Sequence, residues 1–183
     1  MADGSGVSIS RHHDEAHSWA MASRAPDPRL KSCVLDYQGY RELAQRPMRR
    51  LQAPFAGVPM ILTFGPDIDI INGDRPTARD THRSFLAGLH DVHVFTEYLG
   101  DQRGFQVNFT LLGAYRLLNV TMSELANRCI DLGDLLGDET PRLIDRLACA
   151  PDWPARFKIM DQFLLRRLST GRAMSPDIAR PVD

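Results

Sequence analysis

The side chains able to do chemistry fall into a few short clusters. The densest is His12-His13-Asp14-Glu15-Ala16-His17. On a helix His13 and His17 would share a face one turn apart, a spacing that suits paired metal ligands. The zinc-protease helix needs Glu directly after its first His, and Asp14 stands there instead, so a chance cluster in a tail is the simpler reading. Asp80, His82 and Ser84 hold the letters of a nucleophilic triad at alternate strand positions. A triad also needs an oxyanion hole, and a polar sheet edge accounts for these residues as well. His82, His90, His93 and Glu97 could form a two-His-one-carboxylate metal site across a hairpin, although His90 and His93 would face opposite sides of one strand. Asp67 and Asp69 fit a solvated face opposite Ile68 and Ile70, and Asp131, Asp134 and Asp138 lack calcium-loop spacing and read as turn formers. No Gly-rich phosphate loop follows a strand, since Gly4-Ser5-Gly6 lies in the N-terminal tail, and there is no G-x-S-x-G elbow. The expectation is no catalytic residue, no metal ligand set and no cofactor.

The elements that would position such groups are short. Residues 1–28 are polar, have little periodicity and end in Ala25-Pro26-Asp27-Pro28, which predicts a mobile tail. From there, strand-like runs at 32–37, 59–64, 67–71, 84–89, 92–99 and 104–110 are separated by Gly, Pro, Asn and Asp, with the hairpin signal Asn72-Gly73 among them. In the last run Phe105, Val107 and Phe109 alternate with Gln106, Asn108 and Thr110. After Thr110 the apolar period changes from 2 to about 3.6. Leu111, Leu112, Tyr115 and Leu118 form one stripe. Thr121-Met122-Ser123-Glu124 is a capping box opening a helix through Leu125 and Cys129, and Thr140-Pro141 opens another. Asp152 precedes a last helix whose apolar face is Trp153, Phe157, Met160, Leu164 and Leu168. The predicted class is α+β: a curled antiparallel sheet, sandwich or partial barrel, of about six strands followed by three to four C-terminal helices.

Rings cluster on that sheet: Phe64, Phe85, Phe95, Phe105 and Phe109, with Tyr98 nearby. They could line a pocket for a small apolar molecule or simply fill the core between sheet and helices. The positions within strands, Phe64, Phe95 and Phe109, together with Tyr98, are the candidate ligand-binding residues.

Composition narrows the function classes. The chain has 183 residues with 22 Lys and Arg against 23 Asp and Glu, one domain's worth of sequence. Residues 29–50 and 141–172 each carry a local charge of +4, while residues 66–140 carry −6. With a pI near 6.6 and an acidic middle, direct nucleic-acid contact by this chain is not expected. Its longest apolar stretch, residues 57–65, is too short to cross a bilayer, and residues 1–11 show no secretory pattern. Cys33, Cys129 and Cys149 form neither a zinc spacing nor a disulfide framework, which fits a reduced, cytoplasmic setting.

One stretch carries a resemblance. The string Gly104-Phe105-Gln106-Val107-Asn108-Phe109-Thr110-Leu111-Leu112-Gly113-Ala114-Tyr115-Arg116-Leu117-Leu118 resembles the N-terminal sensor domain of AraC-type bacterial transcription regulators. The likeness continues in Ser123-Glu124-Leu125-Ala126-Asn127-Arg128, in Asp131-Leu132-Gly133-Asp134-Leu135-Leu136-Gly137, and from Trp153-Pro154-Ala155-Arg156-Phe157 to Leu168. Upstream, Phe85-Leu86-Ala87-Gly88-Leu89 and Tyr40-Arg41-Glu42 agree, so it spans about residues 40–168. Leu111, Asn119 and Thr121 depart from it, standing where the family has Pro, Gly and Pro.

The resemblance implies a sensor domain over 29–172 that senses a small, apolar effector or dimerises, as a homodimer or with an intact homologue. Residues 173–183, with two prolines and no apolar periodicity, would be a tail or linker rather than a DNA-reading helix. The helix from Trp153 to Leu168 is the candidate pairing surface, unless its stripe is spent on the core. The alternative is a cupin-like metal-dependent enzyme using His82, His90, His93 and Glu97.

Overall fold

The computed structural model describes residues 6–14, 17–75, 77–89 and 92–170. Its centre is a ribbon of two long antiparallel strands, β3 (Val34–Gln52) and β8 (Val94–Phe109). Shorter strands flank it: β1 (Ser8–His13) and β2 (His17–Arg24) on the β3 side, and β4 (Val58–Thr63), β5 (Ile68–Asn72), β6 (Arg79–His82), β7 (Ser84–Ala87) and β9 (Cys129–Asp131) on the β8 side. Every pairing is antiparallel and the sheet is not closed. Helices α1 (Leu111–Leu118), α2 (Met122–Leu125), α3 (Leu132–Leu136), α4 (Glu139–Ala148) and α5 (Trp153–Thr170) follow, so the protein is α+β. None of these helices is long and apolar enough to cross a membrane.

The curl originates in the central ribbon. Between Ala44 and Met48 the register of β3 slips against β8, where Gly100 adopts φ +93°, a conformation that favours glycine. A bulge of this kind bends the strand and increases its twist. Beyond the bend the free edge of β8 has two partners: residues 104–109 pair with β4, and residues 94–97 pair with β5. The predicted strands at 92–99 and 104–110 are thus one strand, held together through Asp101–Arg103 by the neighbouring β3.

Within the predicted mobile tail over residues 1–28, the described residues 6–14 and 17–28 include regular structure. Residues 8–13 and 17–24 form a hairpin closed by the Asp14 N–H donating to the His17 carbonyl at 2.9 Å, and β2 pairs with β3 from His17 opposite Ala44 to Arg24 opposite Tyr37. β1 is an edge strand with every side chain exposed, so no apolar alternation marks it. Val7, just before β1, and Ala22 on β2 are the hairpin's buried anchors. Residues 173–183 lie outside the described residues.

The helices lie on one face of the sheet. Tyr37, Met60, Leu62, Phe105, Val107 and Phe109 from the strands meet Leu117, Leu143, Phe157, Met160 and Leu164 from the helices in a single core. Local chemistry fixes the helix ends: Thr110 Oγ1 accepts from the Gly113 N–H at 2.9 Å, Asn119 ends α1 in the left-handed region, and Asp152 Oδ1 accepts from the Ala155 N–H at 2.8 Å. The capping box at Thr121 is present, but α2 stops at Leu125; Asn127 turns the chain at φ 54° so that Cys129 joins the sheet edge instead of extending a helix. α5 is tied down by Asp161, which accepts from the Tyr37 hydroxyl at 3.0 Å and the Asp27 N–H at 3.1 Å and pairs with Arg24. Burial, with the charge of Asp161 beside it, raises the Tyr37 phenol well above its ordinary range. α5 spends its apolar stripe on the core, with Phe157, Met160, Phe163 and Leu164 buried and Leu165 and Leu168 packed beside them.

Candidate ligand cavity

The opposite face of the curled sheet encloses a cavity of about 650 Å³. Strand alternation dictates what lines it. Phe105, Val107 and Phe109 turn toward the helices, so Gln106 and Asn108 turn inward. In register beside them on β3 lie Gln38, opposite Gln106, and Tyr40 and Glu42 further along. On the other side β4 contributes Ile61, β5 contributes Ile68 and Ile70, β7 contributes Phe85, and the first turn of β8 contributes Val94. The cavity therefore has a polar wall on the β3/β8 ribbon and an apolar wall on β4, β5 and β7. The apolar wall is a packed cluster in its own right, separate from the helical core.

At the waist of the cavity sits Glu42, 6% exposed. Its carboxylate takes a hydrogen bond from His17 Nε2 at 2.5 Å and pairs with Arg50. Eight residues of straight strand span about 26 Å, so a Glu42–Arg50 contact within β3 exists only because the chain folds back at the Ala44–Met48 bulge. The pair links the two halves of the curl. Tyr98 lies alongside; burial and then the adjacent Glu42 carboxylate raise its phenol, and its enclosed hydroxyl makes no hydrogen bond of normal geometry. Burial likewise pushes the Tyr40 phenol up to about 12, with the charge of Glu42 adding to it. Cys129, at the apolar rim, is pushed up to about 12 by burial and by the charge of Asp80. All three stay protonated at neutral pH.

The remaining polar groups form two networks. Asn108 Nδ2 donates to Asp36 Oδ1 and Gln106 Nε2 to Asn108 Oδ1, both at 2.8 Å. Thr63 Oγ1 donates to Gln102 Oε1 at 2.8 Å, and Gln102 Nε2 donates to the Pro66 carbonyl at 3.1 Å.

Of the four residues expected to bind ligand, one lines the cavity: Tyr98. Phe109 is fully buried on the helix side, and Phe64 packs against that same core. Phe95 points outward, under the Arg49 guanidinium at 4.3 Å and edge-on to His93. The ring-rich face supplies the core, and the amide-rich face supplies the cavity. Among the strand phenylalanines Phe85 turns inward, beside the tyrosines Tyr40 and Tyr98. Gln38, Tyr40, Glu42, Arg50 and Gln106 were missed because an amide-bearing face reads as solvent-facing when no second layer over the rings is considered.

The other candidates disperse. His12 pairs with Asp14 and His17 with Glu42 on a hairpin, so His13 and His17 share no helix. Ser84 is buried and its hydroxyl accepts from the Thr63 N–H at 3.1 Å. His82 lies on the Phe85 ring, His93 on Phe95, and Glu97 is held by Arg79 at 3.0 Å together with Asp69. His90 lies outside the described residues. Among the described residues no three His, Cys, Asp or Glu side chains gather to hold a metal ion. Asp131 caps α3, accepting from the Gly133 N–H at 2.7 Å, and Asp138 precedes α4.

No protein-family model matches the sequence, and no curated protein matches it. Solved structures give loose likenesses. The AraC-like transcriptional activator CuxR is 10% identical with a TM-score of 0.44, over 94% of this chain and 65% of that one. The hydroxypropylphosphonic acid epoxidase of S. wedmorenis is 13% identical with a TM-score of 0.42, over 60% of this chain and 58% of the epoxidase. The 7S globulin of Momordica charantia is 8% identical with a TM-score of 0.36, over 58% of this chain and 34% of the globulin. Likenesses at this level assign neither a family nor an activity.

Proposed function

We propose that this chain is a signal-input domain of the AraC regulator type: a cytoplasmic, non-catalytic domain that binds a small molecule in the concave face of its sheet and pairs with a second copy or an intact homologue. The observation that carries the reading is the cavity of about 650 Å³, within the size range of small-molecule sites, walled by buried polar groups on one side and a packed apolar cluster on the other. The sequence resemblance over residues 40–168 supports the regulatory role. Since α5 uses its apolar stripe in the core, pairing in this reading uses another surface.

The fold offers a direct route from ligand to helices. Gln106 and Asn108 face the cavity while Phe105 and Phe109, on the same strand, face the helices, and the Phe105 and Phe157 rings lie 5.3 Å apart. A ligand that favours one position of β8 shifts α5 by as much as its affinity differs between the two positions.

Fluorescence titration with the uncharged dye N-phenyl-1-naphthylamine tests the reading. Saturable binding at one site is expected, and Thr96→Trp, which fills the cavity from β8, should abolish it. Wild-type protein that shows no saturable binding would contradict a ligand site.

A further inference from the structure

The charge state of the cavity wall restricts what can enter. Among the described residues three charged side chains border the cavity: Arg41, Glu42 and Arg50. Each already has a partner. Glu42 holds Arg50 and His17, and Arg41 makes a two-pronged pair with Asp101 at 3.1 and 3.2 Å, a carboxylate that Arg103 also approaches at 3.5 Å. The other groups that face the space among the described residues are amides, hydroxyls and apolar side chains.

An ionised ligand entering such a site loses its hydration and, among the described residues, meets only countercharges that already hold a partner, a large penalty. An uncharged ligand avoids this. Its polar atoms meet Gln38 and Gln106, each half-buried; the Nε2 of each is held in the sheet by Asp36 and Asn108 respectively. Those internal bonds orient the amides, so the wall is fixed before anything binds. The facing wall of Ile61, Ile68, Ile70, Phe85 and Val94 offers dispersion contacts and nothing else.

Resting on the cavity being the ligand site, we infer that its ligand is an uncharged amphipathic molecule, which presents hydroxyl, carbonyl or amide groups to the β3/β8 wall and an apolar face to β4, β5 and β7. A carboxylate, phosphate or ammonium compound is disfavoured, because binding one requires opening the Glu42–Arg50 pair at the waist of the fold.

Three probes of one ring size separate these classes: 1-naphthol, 1-naphthoate and 1-naphthylmethylamine, titrated calorimetrically into the whole chain at neutral pH. The naphthol should bind at least about fivefold more tightly than either ion. In Gln106→Lys, which places an unpaired cation on the polar wall, the order of naphthol and naphthoate should invert. A wild-type preference for either ion, or a spread below about fivefold, overturns the uncharged class while leaving the cavity a ligand site. If none of the three binds, the ligand-binding reading falls with it. The wild-type order decides the matter even where Gln106→Lys does not fold.

Discussion

Glu42 shows how one side chain can hold a fold's shape as well as furnish its cavity. A carboxylate buried to this degree is tolerable only with partners, and it has two, one from β2 and one from beyond the β3 bulge. Arg50→Ala leaves Glu42 with His17 alone. Because Arg50 is itself partly exposed, the expected loss is on the order of 1–3 kcal/mol rather than that of a fully buried pair, measurable by urea denaturation; an unchanged midpoint would remove the pair from its role in the curl. Cys129 makes a second residue-scale prediction. Its folded pKa is raised, so the fold favours the protonated thiol, and that contribution is complete below the ordinary thiol pKa and disappears as pH climbs through about 12. At pH 8.5 iodoacetamide should therefore modify exposed Cys149 well before Cys129 or buried Cys33. Equal labelling of Cys149 and Cys129, followed by mass spectrometry, would contradict the enclosed rim described for the cavity.

At the scale of elements, α1 is seated by a close backbone approach. A Cβ built on Gly113 would stand 1.8 Å from the Cys33 carbonyl oxygen, which belongs to the main chain and cannot rotate away. Gly113→Ala should cost about 2 kcal/mol despite alanine's better helix propensity, and lower Tm by about 4–8 °C. An unchanged or raised Tm would mean that α1 docks elsewhere. The helices were largely legible in the sequence because their signals are local: Thr121, Thr140-Pro141 and Asp152 mark starts, and apolar residues recur every three to four positions; the Thr110 cap and the left-handed Asn119 stop were not read. α2 failed to extend to Cys129 because pairing of β9 with β7, a long-range interaction, outcompeted continuation of the helix. β1, β2 and β9 were missed, and β6 was legible only as a polar sheet edge at Asp80 and His82, for a related reason. Exposed edge strands such as β1 and β6 carry no apolar alternation, and the backbone partners that make them strands are distant in sequence.

At the scale of the whole molecule, two layers compete for the same rings. The alternation of Phe105, Val107 and Phe109 with Gln106 and Asn108 was plain in the sequence, but which face is covered is decided by where the five helices dock. They dock on the rings. The amide face is then left to line a concavity that the bulge in β3 and Gly100 in β8 create. The candidate site was therefore half legible: the strands that build it could be read, while of the four candidate side chains Tyr98 alone lies on the face that lines the cavity. The most direct check is an NMR titration of isotope-labelled protein with 1-naphthol, following side-chain amides and methyl groups. The expected result is that the Gln38 and Gln106 side-chain amides and the Ile61 and Ile70 methyls move, while the Leu117 and Leu164 methyls stay in place. Shifts centred on those leucines and the rings of Phe105 and Phe109, with the amide wall silent, would place the ligand on the helix side and contradict the cavity as the binding site.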